Sequence, residues 1–133
     1  MTIRTFALAY GIIFILIGLA GFFTTFCSPY PVTDPALLIA ANHGYLFGLF
    51  PVNVLHNLVH LALGIWGVAV YKSTASSLVY ARSVAIVYAV FVVMGLIPVL
   101  NTTFGLVPLH AHDIWLHLLL AAGAAYFAYA HKT

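Results

Sequence analysis

Histidine is the residue type in this sequence with the widest chemical scope, and two histidines lie within one strongly apolar segment. His56 and His60 are four residues apart, and together with Asn53 and Asn57 they follow an i, i+3, i+4, i+7 spacing. On a helix this spacing places all four side chains on one face. Neutral imidazole binds haem iron and divalent metal ions, and we expect the same nitrogen donor to bind a chlorophyll magnesium.

A third histidine, His117, lies in another apolar segment, one turn after Asp113, which we predict to be the N-cap of that helix. If His60 and His117 face a shared interior volume, they could hold a tetrapyrrole or a metal ion. One hypothesis is therefore a site for chlorophyll or haem, built from five side chains: His60, His117, His56, Asn53 and Asn57. The alternative is that these histidines only donate hydrogen bonds inside a helix bundle, at about 0.6–2 kcal/mol per bond.

The loops offer a separate candidate metal site. His110 and His112 form a His-x-His pair that could supply two ligands, Asp113 follows directly, and His43 could approach from the other outer loop. The alternative is that these loop histidines are simply solvated. Catalysis has less support, because the chain has two carboxylates, one cysteine and no recognisable set of nucleophile, base and orienting group.

The segments that carry these histidines are predicted to be membrane spans. The chain is 65% hydrophobic and only 5% charged, which is typical of an integral membrane protein. A helix needs about 20 apolar residues to cross a bilayer core of roughly 30 Å. Four uncharged stretches meet this need, so we predict an all-α, four-helix transmembrane bundle as a single domain over residues 1–133, with spans at about 6–26, 51–71, 80–98 and 114–131.

Four spans place both termini on one side of the membrane. That side then holds all the basic residues: Arg4, Lys72, Arg82 and Lys132. Basic residues favour the cytoplasmic side, so we predict that both termini are cytoplasmic or stromal. The net charge of +2 is too small and too dispersed to indicate nucleic-acid binding. In the first outer connection, residues 36–41 could form a short interfacial helix.

An internal repeat is visible when the sequence is shifted by 57 positions. Residues 47–51 (FGLFP) then align with 104–108 (FGLVP), and His60-Leu61 aligns with His117-Leu118. Two repeated helical hairpins would explain this match, and a pseudo-twofold axis between them would set His60 opposite His117. The alternative is that Phe, Gly, Leu and Pro recur by chance in apolar sequences.

The histidine-bearing segments resemble a bacterial membrane family, the domain-of-unknown-function family numbered 4383. The resemblance is carried by residues 53–61 (NVLHNLVHL), 101–110 (NTTFGLVPLH) and 113–117 (DIWLH), and it extends over nearly the whole chain. It implies a four-helix membrane protein without an established activity. It also implies a bacterial inner membrane or a thylakoid as the setting.

Three functional hypotheses follow from these observations. The first is a non-enzymatic accessory subunit that contacts membrane lipids and packs against a larger membrane complex, because the chain has almost no mass outside the bilayer. The second is a tetrapyrrole-binding protein that uses His60 and His117 as ligands. The third is an oxidoreductase that interacts with a quinone through its outer-side histidines.

Overall fold

The computed structural model describes residues 1–131 and contains four α-helices in this part of the chain. They are α1 (Ile3–Ala20), α2 (Val54–Val70), α3 (Thr74–Gly95) and α4 (Asp113–Ala125), which a π-helical segment continues over Tyr126–Ala130. By length and composition α1, α3 and the combined Asp113–Ala130 helix could each cross a membrane, and α2 is a shorter apolar helix. The predicted four-helix membrane fold is confirmed.

Side-chain caps determine where three of the helices begin. Thr2 accepts a hydrogen bond from the backbone N–H of Thr5, Asn53 from that of His56, and Ser73 from that of Ser76. Such caps satisfy N–H groups that have no partner within the helix. Hydropathy does not register these caps, which explains why α1 and α3 begin earlier than the predicted spans at 6–26 and 80–98.

The other predicted boundaries also shift. Helix α1 ends at Ala20 rather than 26, because the chain turns at Gly21 and then forms a strand. Helix α2 begins at Val54 rather than 51, because residues 50–52 are extended. The expected helix over 36–41 is wrong: this stretch is irregular, and the N–H groups of Leu38 and Ile39 donate to the carbonyl of Gly105 instead.

A small antiparallel sheet, not expected from the sequence, closes the end of the bundle opposite Arg4. Its strands are β1 (Cys27–Ser28), β2 (Gly44–Leu46) and β3 (Phe50–Val52), hydrogen-bonded in that order. Strand β3 leads through Asn53 directly into α2. The sheet thus fixes the start of the helix that carries His56 and His60.

The helices pack mainly as two hairpins, α1 against α2 and α3 against α4. In the first hairpin the backbones touch at two glycines. A Cβ added at Gly64 would lie 2.7 Å from the carbonyl oxygen of Gly11, and one added at Gly11 would lie 2.9 Å from that of Gly64. Small residues allow such close approach between helices in a membrane.

The sequence repeat extends to the backbone of the two outer connections. Three residues of the first connection with positive φ have counterparts 57 positions later that also have positive φ: Asn42 and Val99, Phe47 and Phe104, Gly48 and Gly105. The turn hydrogen bond from Gly48 N–H to the Tyr45 carbonyl also recurs, from Gly105 N–H to the Thr102 carbonyl. These two connections therefore hold the starts of α2 and α4 in similar ways.

Arg4 ties α1 to the end of α2, since its Nε donates to the carbonyl of Tyr71 at 3.1 Å. The start of α1, the Lys72 connection and the start of α3 lie at this end of the bundle. Lys132, the fourth basic residue on which the topology prediction depends, lies outside the described residues. A cytoplasmic or stromal location for this end stays a prediction.

Candidate metal centre

Three histidines from two helices meet inside the bundle. His56 and His60 come from α2 and His117 from α4, and one ring nitrogen of each lies within 4.8 Å of the others. Their side chains are only 3%, 6% and 1% exposed, respectively. From the sequence we expected His60 and His117 to share an interior volume, with His56 as an alternate ligand, and the structure brings all three residues together.

Aromatic side chains from α1 and α3 enclose the histidines. Phe14 stacks on His60 with ring centroids 5.9 Å apart, and Tyr88 meets His117 edge-on at 5.0 Å. Phe91 lies 5.8 Å from the same ring. The sequence analysis missed Tyr88 and Phe91, because an aromatic residue within an apolar span gives no signal of which helix it faces.

Several polar atoms of this cluster have no hydrogen-bond partner among the described residues. They are Nδ1 of His56, of His60 and of His117, Oδ2 of Asp113 and the hydroxyl of Tyr88. A buried polar atom without a partner costs about 1–3 kcal/mol, and native proteins contain few of them. Three of these atoms belong to the converging imidazoles, which fits a site whose nitrogens serve a bound ion.

Asp113 adds a buried carboxyl group to the cluster. It is the first residue of α4 and is 2% exposed, and its Oδ2 lies 3.8 Å from Nδ1 of His56. This distance is too long for a hydrogen bond, so the two groups are neighbours without a direct bond. The expected role of Asp113 as N-cap is wrong, because His112 holds that position. Carboxylates beside metal-binding imidazoles commonly orient the ring and raise its basicity.

The donor set suits a transition-metal ion of ordinary size. Zinc binds imidazole nitrogen at about 2.0–2.1 Å, so three nitrogens around one ion lie roughly 3.3 Å apart. The present nitrogens lie within 4.8 Å of one another, so each separation would have to shorten by at most about 1.5 Å to reach that spacing, which side-chain rotation can supply. Imidazole ligands suit zinc, copper, iron and nickel. Three histidines would leave a fourth coordination position open.

A cavity of about 190 Å³ adjoins the cluster. His56 and His60 form one wall, and the remaining lining residues are Val59, Tyr88, Phe91, Thr103, Val107 and Leu109. Binding sites for drug-sized molecules usually measure about 300–1,000 Å³. The space beside the histidines therefore suits an ion and a small ligand better than a tetrapyrrole ring.

The two asparagines predicted to face a cofactor have different surroundings. The side-chain NH₂ of Asn53 donates to the carbonyls of Ile39 at 2.9 Å and Leu106 at 2.7 Å, and its Oδ1 caps α2. Asn53 therefore joins both outer connections to α2 and has no donor left for a cofactor. Asn57 is fully buried, and the Cβ of any larger residue at Gly21 would collide with its side chain.

The predicted outer metal site, comprising His110, His112, Asp113 and His43, is dispersed. Among the described residues, only His56, His60 and His117 meet the spacing for a group of three or more ligands. His112 is exposed, and its Nδ1 accepts a hydrogen bond from Trp115 Nε1 at 2.8 Å. His43 stacks on Tyr30 at 3.8 Å.

Burial lowers the pKa of both His43 and His110, and the nearby carboxylate of Asp34 opposes this shift. Tyr45 donates to Oδ2 of Asp34 at 2.6 Å, and burial together with this bond raises the pKa of its hydroxyl. Both imidazoles are therefore neutral near pH 7 in the folded protein. They form a polar layer between the histidine cluster and the outer surface.

Comparison with known proteins gives one family and no function. A family model described as a domain of unknown function, DUF4383, matches residues 4–130. No curated protein and no solved structure matches the chain.

Proposed function

Since the chain belongs to the DUF4383 family, a domain of unknown function, we propose a function from its own buried chemistry: it is a membrane protein that binds one divalent transition-metal ion through His56, His60 and His117. Asp113 orients His56 and offsets part of the ion's charge. The ion would lie between α2 and α4 and would fix these helices relative to each other.

The single observation that carries this proposal is the convergence of three ring nitrogens within 4.8 Å among deeply buried side chains. Hydrogen bonds leave part of each ring unsatisfied, because Nδ1 of each imidazole has no partner among the described residues. Intramembrane ionisable groups are costly and mark functional sites. A metal ion would use the histidine donors together, and the Asp113 carboxylate would reduce the net charge in the bilayer.

An ion has better support than a tetrapyrrole. The rings of His56 and His60 are 4.5 Å apart, and the adjoining cavity measures about 190 Å³. Neither value leaves room for a planar macrocycle between the histidines. Binding of chlorophyll or haem remains an alternative proposal, and a Soret or chlorophyll band in the purified protein would favour it over the ion.

A role as an accessory subunit of a larger membrane complex is compatible with metal binding. Large apolar side chains cover the outward faces of the helices, including Leu16, Ile65 and Leu119 at 61% exposure each. These faces fit lipid tails or neighbouring membrane subunits. We place the Arg4 end of the bundle on the cytoplasmic or stromal side of a bacterial inner membrane or thylakoid. Recovery of the protein only as an isolated monomer in several mild detergents would count against a partner complex.

Metal titration tests the proposed function directly. The protein would be purified in mild detergent with a tag that lacks histidine, stripped with a chelator, and titrated with Zn²⁺ before desalting and elemental analysis. We expect one equivalent of zinc to be retained. The His60→Ala and His117→Ala variants should lose it, whereas the exposed His112→Ala control should keep it. Retention of equal zinc by all four proteins would contradict the proposal.

A further inference from the structure

The cavity beside the histidine cluster has the composition of a ligand site. Its walls are almost entirely apolar, through Val59, Phe91, Val107 and Leu109, and the other lining residues, His56, His60, Tyr88 and Thr103, have polar groups in their side chains. Such a combination of apolar walls and a few converging polar groups is typical of binding sites for small molecules. At about 190 Å³, it has room for a ligand of only a few non-hydrogen atoms.

We infer that the fourth coordination position of the metal opens into this cavity and binds a small monoanion, such as a short carboxylate, with the Tyr88 hydroxyl donating a hydrogen bond to it. This inference rests on the metal site proposed above. The cavity is adjacent to two of the three ligand residues, and three protein ligands around a metal commonly leave one position for an exogenous group.

Charge determines the class of ligand. Three neutral imidazoles and one carboxylate leave a divalent ion with one net positive charge. The cluster is buried in apolar surroundings, where an uncompensated charge is costly. A singly charged anion bound to the metal would neutralise the site, while a dianion would restore a net charge.

Tyr88 is the residue placed to distinguish such an anion from an apolar guest. Its side chain is 1% exposed and lines the cavity, and its hydroxyl has no hydrogen-bond partner among the described residues. Its ring also packs against the His117 imidazole, so it lies next to a proposed metal ligand. Turned toward the cavity, this hydroxyl would donate to the oxygen of a metal-bound anion.

The chain offers a closely matched control in Tyr80. This residue is also on α3, is 0% exposed and has a hydroxyl without a partner among the described residues. However, it does not line the cavity and instead meets Trp66 edge-on. Removal of the hydroxyl from Tyr80 therefore reproduces the chemical change at Tyr88 without altering the proposed anion site.

Cobalt spectroscopy separates this inference from the metal proposal. Chelator-stripped protein would be loaded with Co²⁺, whose visible bands report coordination, and then titrated with acetate and with azide as probe anions. We expect both anions to shift the bands. Tyr88→Phe should weaken anion binding about tenfold, as expected for loss of a hydrogen bond to a charged group, and Tyr80→Phe should not.

A variant that fills the cavity provides a second test of anion binding there. Val59→Phe should abolish the anion-dependent shift while the bands of the anion-free cobalt protein remain. If cobalt bands form but neither anion shifts them, the inference is overturned and the metal site stands. If no cobalt bands form, the proposed function itself fails. Equal anion affinities in Tyr88→Phe and Tyr80→Phe would overturn the proposed hydrogen bond from the Tyr88 hydroxyl to the anion.

Discussion

Nδ1 of His56 on α2 lies 3.8 Å from Oδ2 of Asp113 on α4, and both side chains are at least 97% buried. The two residues are 57 positions apart, so they occupy equivalent places in the two repeated segments. The contact therefore joins the hairpins through an imidazole and a carboxylate. Among the described residues, Asp113 is the one strongly buried acidic residue, and this contact places it beside a proposed metal ligand.

The first prediction concerns this pair. Asp113→Asn preserves the shape of the side chain but removes its charge, so metal affinity should fall about 10–100-fold. The metal-free variant should be no less stable than the wild-type protein, since a buried carboxylate without a hydrogen-bond partner on Oδ2 costs more than a carboxamide. Competition against a chelator measures the affinity, and thermal unfolding in detergent measures the stability.

Asp34→Asn is the control for this prediction, because Asp34 pairs with Tyr45 in the outer layer. It should leave metal affinity unchanged. Equal affinities for the wild-type protein and Asp113→Asn would show that the carboxylate does not act on the site.

The second prediction concerns Asn53, which joins both outer connections to the start of α2. Asn53→Ala removes two hydrogen bonds to backbone carbonyls together with the helix cap. We expect the free energy of unfolding to fall by about 2–4 kcal/mol. Ser73→Ala removes only an exposed cap and should cost about 1 kcal/mol or less. Comparable losses of unfolding free energy in both variants, measured by thermal unfolding, would contradict the role of Asn53 in joining the outer connections to α2.

The third prediction concerns the contact between α1 and α2. Gly64→Ala would place a Cβ 2.7 Å from the carbonyl oxygen of Gly11, so the helices must separate. We expect a loss of about 1–3 kcal/mol, as for other overpacked sites. Metal affinity should fall as well, because His60 lies one turn away on the same helix. Ile65→Ala, at a neighbouring exposed position, should have little effect on either quantity.

The fourth prediction is a dependence of stability on pH through His110. Burial holds the pKa of this imidazole below its ordinary value, although Asp34 acts in the opposite direction. The unfolded chain therefore binds a proton more readily, so the stabilising contribution is present above about pH 6.5 and declines as the pH falls toward the folded pKa. The metal-free protein should melt at a lower temperature near pH 5.5 than near pH 7.5.

His110→Gln removes this titrating group and should reduce the difference between the two melting temperatures. His43 and the proposed metal ligands contribute their own dependence, so the difference should decrease but not disappear. An identical pH dependence of the melting temperature in the wild-type protein and in His110→Gln would contradict a contribution from His110.

The sequence predicted the main features of the fold because a bilayer imposes strong constraints. Stretches without charge located all four helices, and the spacing of Asn53, His56, Asn57 and His60 identified the buried face of α2, where all four are at most 6% exposed. Lipid cannot satisfy such polar groups, which is why their spacing alone indicated burial.

The features that sequence patterns could not predict depend on contacts between distant segments. The bond from Asn53 to Leu106 and the strand pairing of residues 44–46 with 50–52 are formed by loops whose composition only indicated turns. The approach of Asp113 to His56 depends on how α2 and α4 are rotated. Periodicity identifies which face of a helix is buried but not which residue of another helix it meets.

X-ray absorption at the zinc K-edge of the loaded protein tests the central claim most directly. The account predicts a coordination shell with three imidazole nitrogens at about 2.0–2.1 Å. This signal should be lost in the His60→Ala, His117→Ala double variant and retained in His112→Ala. A shell of oxygen atoms alone, or the same spectrum from the double variant, would contradict it.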